Sequence, residues 1–213
     1  MADRGERAAA VEEGAWELAR RDPVLASMVD AHGPPDFARG RPRRGNFAAL
    51  ARAICYQQLA GRAASGIHER FVDLVGTRPS PASVLAVTEE ELRGAGLSAA
   101  KTASIRDLAI KALDGTVRLG RMSRLDDEAV VARLTQVRGI GEWTAQMFLM
   151  FQLGRLDVWP IGDFGVRNGW ARLYGLEEMP TARELAPLGD PHRPYRSLVA
   201  WYCWRAVDTA TPD

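Results

Sequence analysis

Apolar residues recur at three- and four-residue spacing along most of the chain, and no segment shows convincing apolar–polar alternation. Asn46 can cap a helix that carries Phe47, Leu50, Ile54 and Cys55 on one side. Residues 63–75 bring Ile67, Phe71, Val72 and Val75 to one face. Ser98 starts a helix striped by Ile105, Leu108, Ala109 and Leu113, and Asp126 or Asp127 starts another with Val130, Val131 and Leu134 inward. Met147, Phe148, Met150 and Phe151 are apolar nearly all round, which predicts a buried central helix. Shorter helices are predicted over 82–86, after the capping box Thr88–Glu91, and over 181–185, with a last helix over 193–206. Upstream, a polar helix covers 8–21, and Pro23 opens another that runs to about His32. The expectation is an all-α fold without internal repeats.

Two breaks in this pattern carry candidate chemistry. The first is the Gly-rich turn Val137-Arg138-Gly139-Ile140-Gly141, followed at once by a helix start at Glu142-Trp143-Thr144. Two glycines let a backbone turn tightly and come close to a ligand. A helix beginning just behind them points unpaired N–H groups and a positive dipole end forward, which suits phosphate oxygens. An ordinary turn between two helices has the same appearance. A dinucleotide site fits less well, because no strand precedes the turn and no third glycine follows. The second break is Asp163, set between Gly162 and Gly165 at the start of a helical pattern, where an acid is also a natural N-cap. The loop 33–46, with Arg39, Arg41, Arg43 and Arg44, reads equally as a solvated linker or a phosphate-facing segment.

Composition narrows the field. A chain of 213 residues, 46% hydrophobic and 26% charged, has the makeup of an ordinary globular protein. Its formal net charge is +1, so any nucleic-acid face must be a local patch. The two cysteines, Cys55 and Cys203, are too few for a four-Cys cluster or zinc site and sit in apolar helical patterns. His68 has no second His or Cys at metal spacing. The N-terminus lacks an apolar signal core, and no run reaches membrane-spanning length, which makes a cytoplasmic protein the default.

Taken together, Gly139-Ile140-Gly141, Trp143-Thr144-Ala145 and Asp163 resemble the helix–hairpin–helix DNA glycosylase superfamily, most closely its alkylbase branch, the 3-methyladenine glycosylase II type. Ala53-Ile54-Cys55-Tyr56-Gln57-Gln58-Leu59 resembles the early buried helix of that branch and the turn after it. Gly96-Leu97-Ser98 with Lys101, and Pro194-Tyr195-Arg196-Ser197 with Trp201 and Trp204, resemble two further elements. The likeness runs from about Asn46 to Arg205.

The resemblance implies two helical subdomains with an active-site cleft between them. Residues 1–45 would pack on the second, 46–154 would end in the helix–hairpin–helix, and 155–213 would carry the acid and the C-terminal helices. It implies a monofunctional enzyme that flips an alkylated purine from duplex DNA and hydrolyses its glycosidic bond in base excision repair, with Asp163 as the catalytic carboxylate. Backbone contacts would come from Val137, Arg138, Gly139, Ile140, Gly141, Thr144 and Lys101. Gln58 or Leu59 would fill the gap left by the flipped base. Trp143, with Tyr56 and Trp159, would line the base pocket, Trp201 and Trp204 being further aromatic candidates. Arg167 would steady the carboxylate or a phosphate. Bifunctional relatives place a Lys where this chain has Trp143, so no lyase activity is expected. No cofactor is expected, and no metal beyond a structural monovalent cation at the hairpin carbonyls. The partner would be double-stranded DNA containing damaged bases, met as a monomer in the cytoplasm, nucleoid-associated through DNA, with no membrane role. A glycosylase for deaminated or mismatched bases and a non-catalytic damage-binding protein are the alternatives. Arg138, where relatives often have Pro, and Gly162, where some have a second acid, bear on the lesion range.

Overall fold

Local signals set most of the helix starts. In the computed structural model, which describes residues 4–37, 45–59 and 61–207, α1 spans Arg4–Arg21 and α2 spans Pro23–His32. Asp22 caps α2 by accepting from the amides of Val24 and Leu25. Capping boxes open α5 (Pro81–Leu85, from Ser80), α6 (Glu89–Gly94, from Thr88) and α11 (Ala182–Leu188, from Thr181). Ser98 caps α7 (Ala99–Leu113) and Asp126 caps α8 (Asp127–Leu134). The other helices are α3 (Asn46–Tyr56), α4 (Gly61–Val75), α9 (Glu142–Met147), α10 (Phe164–Tyr174) and α12 (Arg196–Ala206). No strand occurs among the described residues, so the fold is all-α. Arg39, Arg41, Arg43 and Arg44 lie outside the described residues.

Three local expectations are corrected. Gly45, not Asn46, is the N-cap of α3, because the Asn46 amide instead donates to the Leu119 carbonyl at 2.7 Å. The final helix starts at Arg196 rather than Arg193, since Pro194 disfavours helical geometry in the residue before it. The apolar run after α9 continues as a π-helical stretch, Phe148–Leu153.

The chain divides into two compact units, one within Pro42–Phe148 and the other within Met1–Arg41 and Leu149–Pro212. In the first, α3 packs against α4 and α7, with Leu50, Ile54, Phe71, Leu92, Ile105 and Leu108 fully buried. Burial of each such side chain contributes roughly 1.5–3 kcal/mol. Leu113, expected in the α7 stripe, is exposed because it is the last residue of the helix.

In the second unit α12 is the central helix, with Leu198, Val199, Ala200, Tyr202, Cys203 and Trp204 buried. α10 lies directly on it. A Cβ at Gly169 would overlap the backbone of Cys203, so only glycine permits this approach. α1 and α2 also pack on α12. Asp22 ties α2 to α10, since Tyr174 Oη donates to its Oδ2 at 2.6 Å.

Candidate active site

Asp163 is the N-cap of α10, and its Oδ1 accepts from the Val166 amide at 2.7 Å. The structure gives it a second donor from another helix: Trp204 Nε1 at 2.9 Å. Trp204 is buried and stacks on Phe151. A Cβ at Gly165 would stand 2.8 Å from Trp204 Cδ1 and 3.2 Å from Asp163 Oδ1, so this glycine leaves room for the pair. Asp163 is 9% exposed. A carboxylate so poorly hydrated is costly without donors and interacts strongly with any cation brought to it. Its neighbour Phe164 is 67% exposed, so the acid lies just below the surface of its unit.

The segment leading to Asp163 is pinned to the start of α12. Arg196 clasps the Asp157 carboxylate with Nε at 2.7 Å and Nη2 at 2.9 Å, a bidentate, part-buried pair. Ser197 Oγ donates to the Arg155 carbonyl and accepts from the Val158 amide. The Arg196-Ser197 pair picked out in the sequence therefore fixes the approach to the acid.

Several sequence-based candidates in this unit have other employment. Trp159 is buried, donates through Nε1 to the Leu185 carbonyl at 3.1 Å, and meets Trp170 edge-on, so it is core rather than base pocket. Arg167 turns from Asp163 and donates to the Pro180 carbonyl at 2.7 Å. Trp201 packs edge-on against Tyr202 and His32.

In the other unit the hairpin joins α8 to α9. Gly139 has φ +75° and lies against Ser104 of α7, where a Cβ would collide with the hydroxyl. Val137 and Ile140 are buried, so only their backbone could meet a ligand. Their amides are used internally: Val137 donates to Leu134 O and Ile140 to Val137 O. The Arg138 amide donates to Asp107 Oδ2 at 2.7 Å. That carboxylate is also bonded by Lys111 Nζ at 2.8 Å, and Lys111 donates to the Gln136 carbonyl. Burial opposes ionisation of Asp107, but the bonds from Lys111 and the Arg138 amide outweigh it and hold the carboxyl below its usual range. Gly139 and Gly141 keep amides that donate to no described residue, and α9 starts behind Gly141 without a side-chain cap.

At the end of α3 the chain makes a tight turn. Gln58, with φ +57°, and Leu59, 40% exposed, stand at its tip. The side chain of Gln57 reaches the hairpin and donates to Gly139 O at 2.9 Å. Lys101 is not simply exposed. Its ammonium donates to the Cys55 carbonyl at 2.7 Å, closing the last turn of α3, and partial burial lowers its pKa. Thr144 is buried, with its hydroxyl near Gln57. Trp143 is 42% exposed, whereas Arg52 covers one face of the Tyr56 ring at 3.8 Å. The sequence reading missed Asp107 and Lys111. Their i, i+4 spacing marks an ion pair but not its target.

Burial pushes the Cys55 thiol up to about 12 and raises that of Cys203, where the Asp163 charge adds to the effect. Both behave as core residues. No group of three or more His, Cys, Asp or Glu among the described residues could hold a metal ion. No helix there is long and apolar enough to cross a membrane.

Comparison with known proteins supplies the family. Residues 51–189, which include the end of α3, the hairpin and Asp163, match the HhH-GPD superfamily base excision DNA repair protein. DNA-3-methyladenine glycosylase 1 of Schizosaccharomyces pombe is 34% identical over 87% of this chain and 82% of its own length. The fold is similar to that of the S. pombe 3-methyladenine DNA glycosylase in complex with abasic DNA, with a TM-score of 0.79 at 30% identity, covering 93% of this chain and 98% of that one. It is equally similar to a DNA-3-methyladenine glycosidase from Bacillus halodurans, with a TM-score of 0.80 at 33% identity over 90% and 88% of the two chains. The chain belongs to the HhH-GPD superfamily of base excision DNA repair proteins.

Proposed function

We propose that the protein is a monofunctional DNA glycosylase of the 3-methyladenine type, which acts as a monomer, flips an alkylated purine from duplex DNA and hydrolyses its N-glycosidic bond. The observation that carries this reading is Asp163: a nearly buried carboxylate, held by an indole and an amide, at the start of a helix in a chain of this superfamily. The names of the similar proteins support alkylated adenine as the substrate class.

The chemistry follows from charge. As the glycosidic bond lengthens, positive charge grows on the deoxyribose, and the anionic Asp163 stabilises it and activates the attacking water. An alkylated adenine is already cationic, so it leaves without protonation by a second acid. Gly162, beside Asp163, therefore need not be one. Trp143 supplies a partly exposed aromatic ring, which attracts a cationic purine. Position 143 also lacks an amine, so water attacks the sugar carbon that the base leaves, and no Schiff base forms.

Gly139 and Gly141 present amides to backbone phosphate, a contact that positions without reading sequence. Arg138 contributes only its side chain to such a grip, its amide being held by Asp107. Gln58 or Leu59 fills the space vacated in the base stack. Lys101, bonded to Cys55 O, supports the α3 turn, and any phosphate contact it makes is through its remaining protons. The test is mass identification of bases freed from methylated, deaminated and oxidised duplexes. 3-Methyladenine is expected from the wild type and none from Asp163→Asn, which should still bind duplex. Undiminished release by that variant would remove the mechanism, and release of only deaminated bases would reassign the substrate.

A further inference from the structure

Gln57 joins two elements that the proposed function uses separately. It is the C-cap of α3, and its side chain reaches 82 residues along the chain to the hairpin. Nε2 donates to Gly139 O at 2.9 Å and stands 3.4 Å from Thr144 Oγ1. The peptide between Gly139 and Ile140 is thereby held on both sides: its carbonyl by Gln57, its amide by Val137 O at 3.1 Å. The amides of Gly139 and Gly141 flank that peptide, so its orientation sets theirs.

The other end of the strut is equally constrained. Gln58 directly follows Gln57 and has φ +57°, the one non-glycine residue in the left-handed region among the described residues. That conformation is strained for a side-chain-bearing residue and persists only where its surroundings impose it. Gln57 is fixed on the Gln58 side by the helix end, where its amide donates to Ala53 O, and on the hairpin side by its own side chain.

We infer that Gln57 is a positioning residue that fastens the turn bearing Gln58 and Leu59 to the hairpin, so that insertion into the base stack and the grip on the backbone share one geometry. The inference rests on the proposed glycosylase function. Gln57 itself contacts neither base nor phosphate in this role. Without its N–H the turn loosens, whereas Asp107 still holds the hairpin through the Arg138 amide.

The experiment compares Kd of the full chain for an undamaged duplex and for the same duplex carrying a tetrahydrofuran abasic site, with Gln57→Leu and the isosteric Gln57→Glu. An ionised Glu keeps the side-chain stem but cannot donate to Gly139 O. The wild type is expected to favour the abasic duplex. Each variant should lose about tenfold of that preference, the scale of one hydrogen bond, while its Kd for undamaged duplex stays within about twofold. Wild-type preference in Gln57→Glu would overturn the inference. So would an equal loss of affinity for both duplexes, which marks a merely structural amide. A wild type that binds neither duplex would instead defeat the functional reading on which the strut depends.

Discussion

Trp204 Nε1 donates to Asp163 Oδ1 at 2.9 Å, joining residues 41 positions apart in the second unit. Phe at 204 would preserve much of the stacking on Phe151 but could not donate. A hydrogen bond to a charged group is worth about 1.5–3 kcal/mol, so single-turnover base release by Trp204→Phe should fall roughly 10- to 100-fold. Duplex affinity should stay near wild type. An unchanged rate would show that the indole does not help to hold the carboxylate.

Gly139 and Gly141 should matter to every duplex alike. Ala at 139 must adopt φ +75° and collide with Ser104, and the change would turn the amides away from phosphate. Gly139→Ala with Gly141→Ala should weaken Kd at least tenfold, whatever the sequence, the scale of losing one or two backbone contacts. Loss confined to particular sequences would contradict a backbone grip.

Asp107 should report on the hairpin through pH. Its carboxyl is held below the usual range by Lys111 and the Arg138 amide despite opposing burial. Its stabilising contribution is therefore complete above the ordinary Asp pKa of about 4 and is lost as pH falls through the lower native value. Asp107→Asn should be less stable to urea than wild type at pH 7, with the gap narrowing on acidification to pH 3. A gap that widens in acid would show the carboxylate to be unfavourable where it lies.

His192 acts in the opposite chemical sense. Burial holds its imidazole below the usual range, Asp22 opposes this weakly, and Arg21 adds to it. Its Nδ1 has no hydrogen-bond partner among the described residues. The unfolded chain thus takes up a proton first, and stability falls as pH drops through about 6.5. Replacing it in His192→Phe should flatten the decline in urea midpoint between pH 7 and pH 5. An identical slope would assign that decline elsewhere.

Much of the fold can be read without coordinates. Ser98, Thr88, Thr181 and Asp126 start the helices where capping chemistry places them, and the all-α architecture follows from the apolar spacing. Asp163 could be picked out as a cap and as a candidate acid, and its amide partner Val166 lies three residues away. What could not be read is where long side chains end. Lys101 closes α3, Arg167 turns to Pro180 and Trp159 enters the core because neighbouring segments supply carbonyls. Such carbonyls leave no trace in residue identity.

The sequence alone determined most of the helices, most of their caps and the glycines of the hairpin, because periodicity, capping and a left-handed turn are satisfied within a few residues. Only the tertiary structure decided that Trp204 meets Asp163 and that Gln57 meets Gly139. Both bonds span dozens of residues, and each exists only because packed helices bring donor and acceptor within 3 Å. At Gly169, where α10 rests on the backbone of α12, the absence of one methyl group makes the first of those meetings sterically achievable.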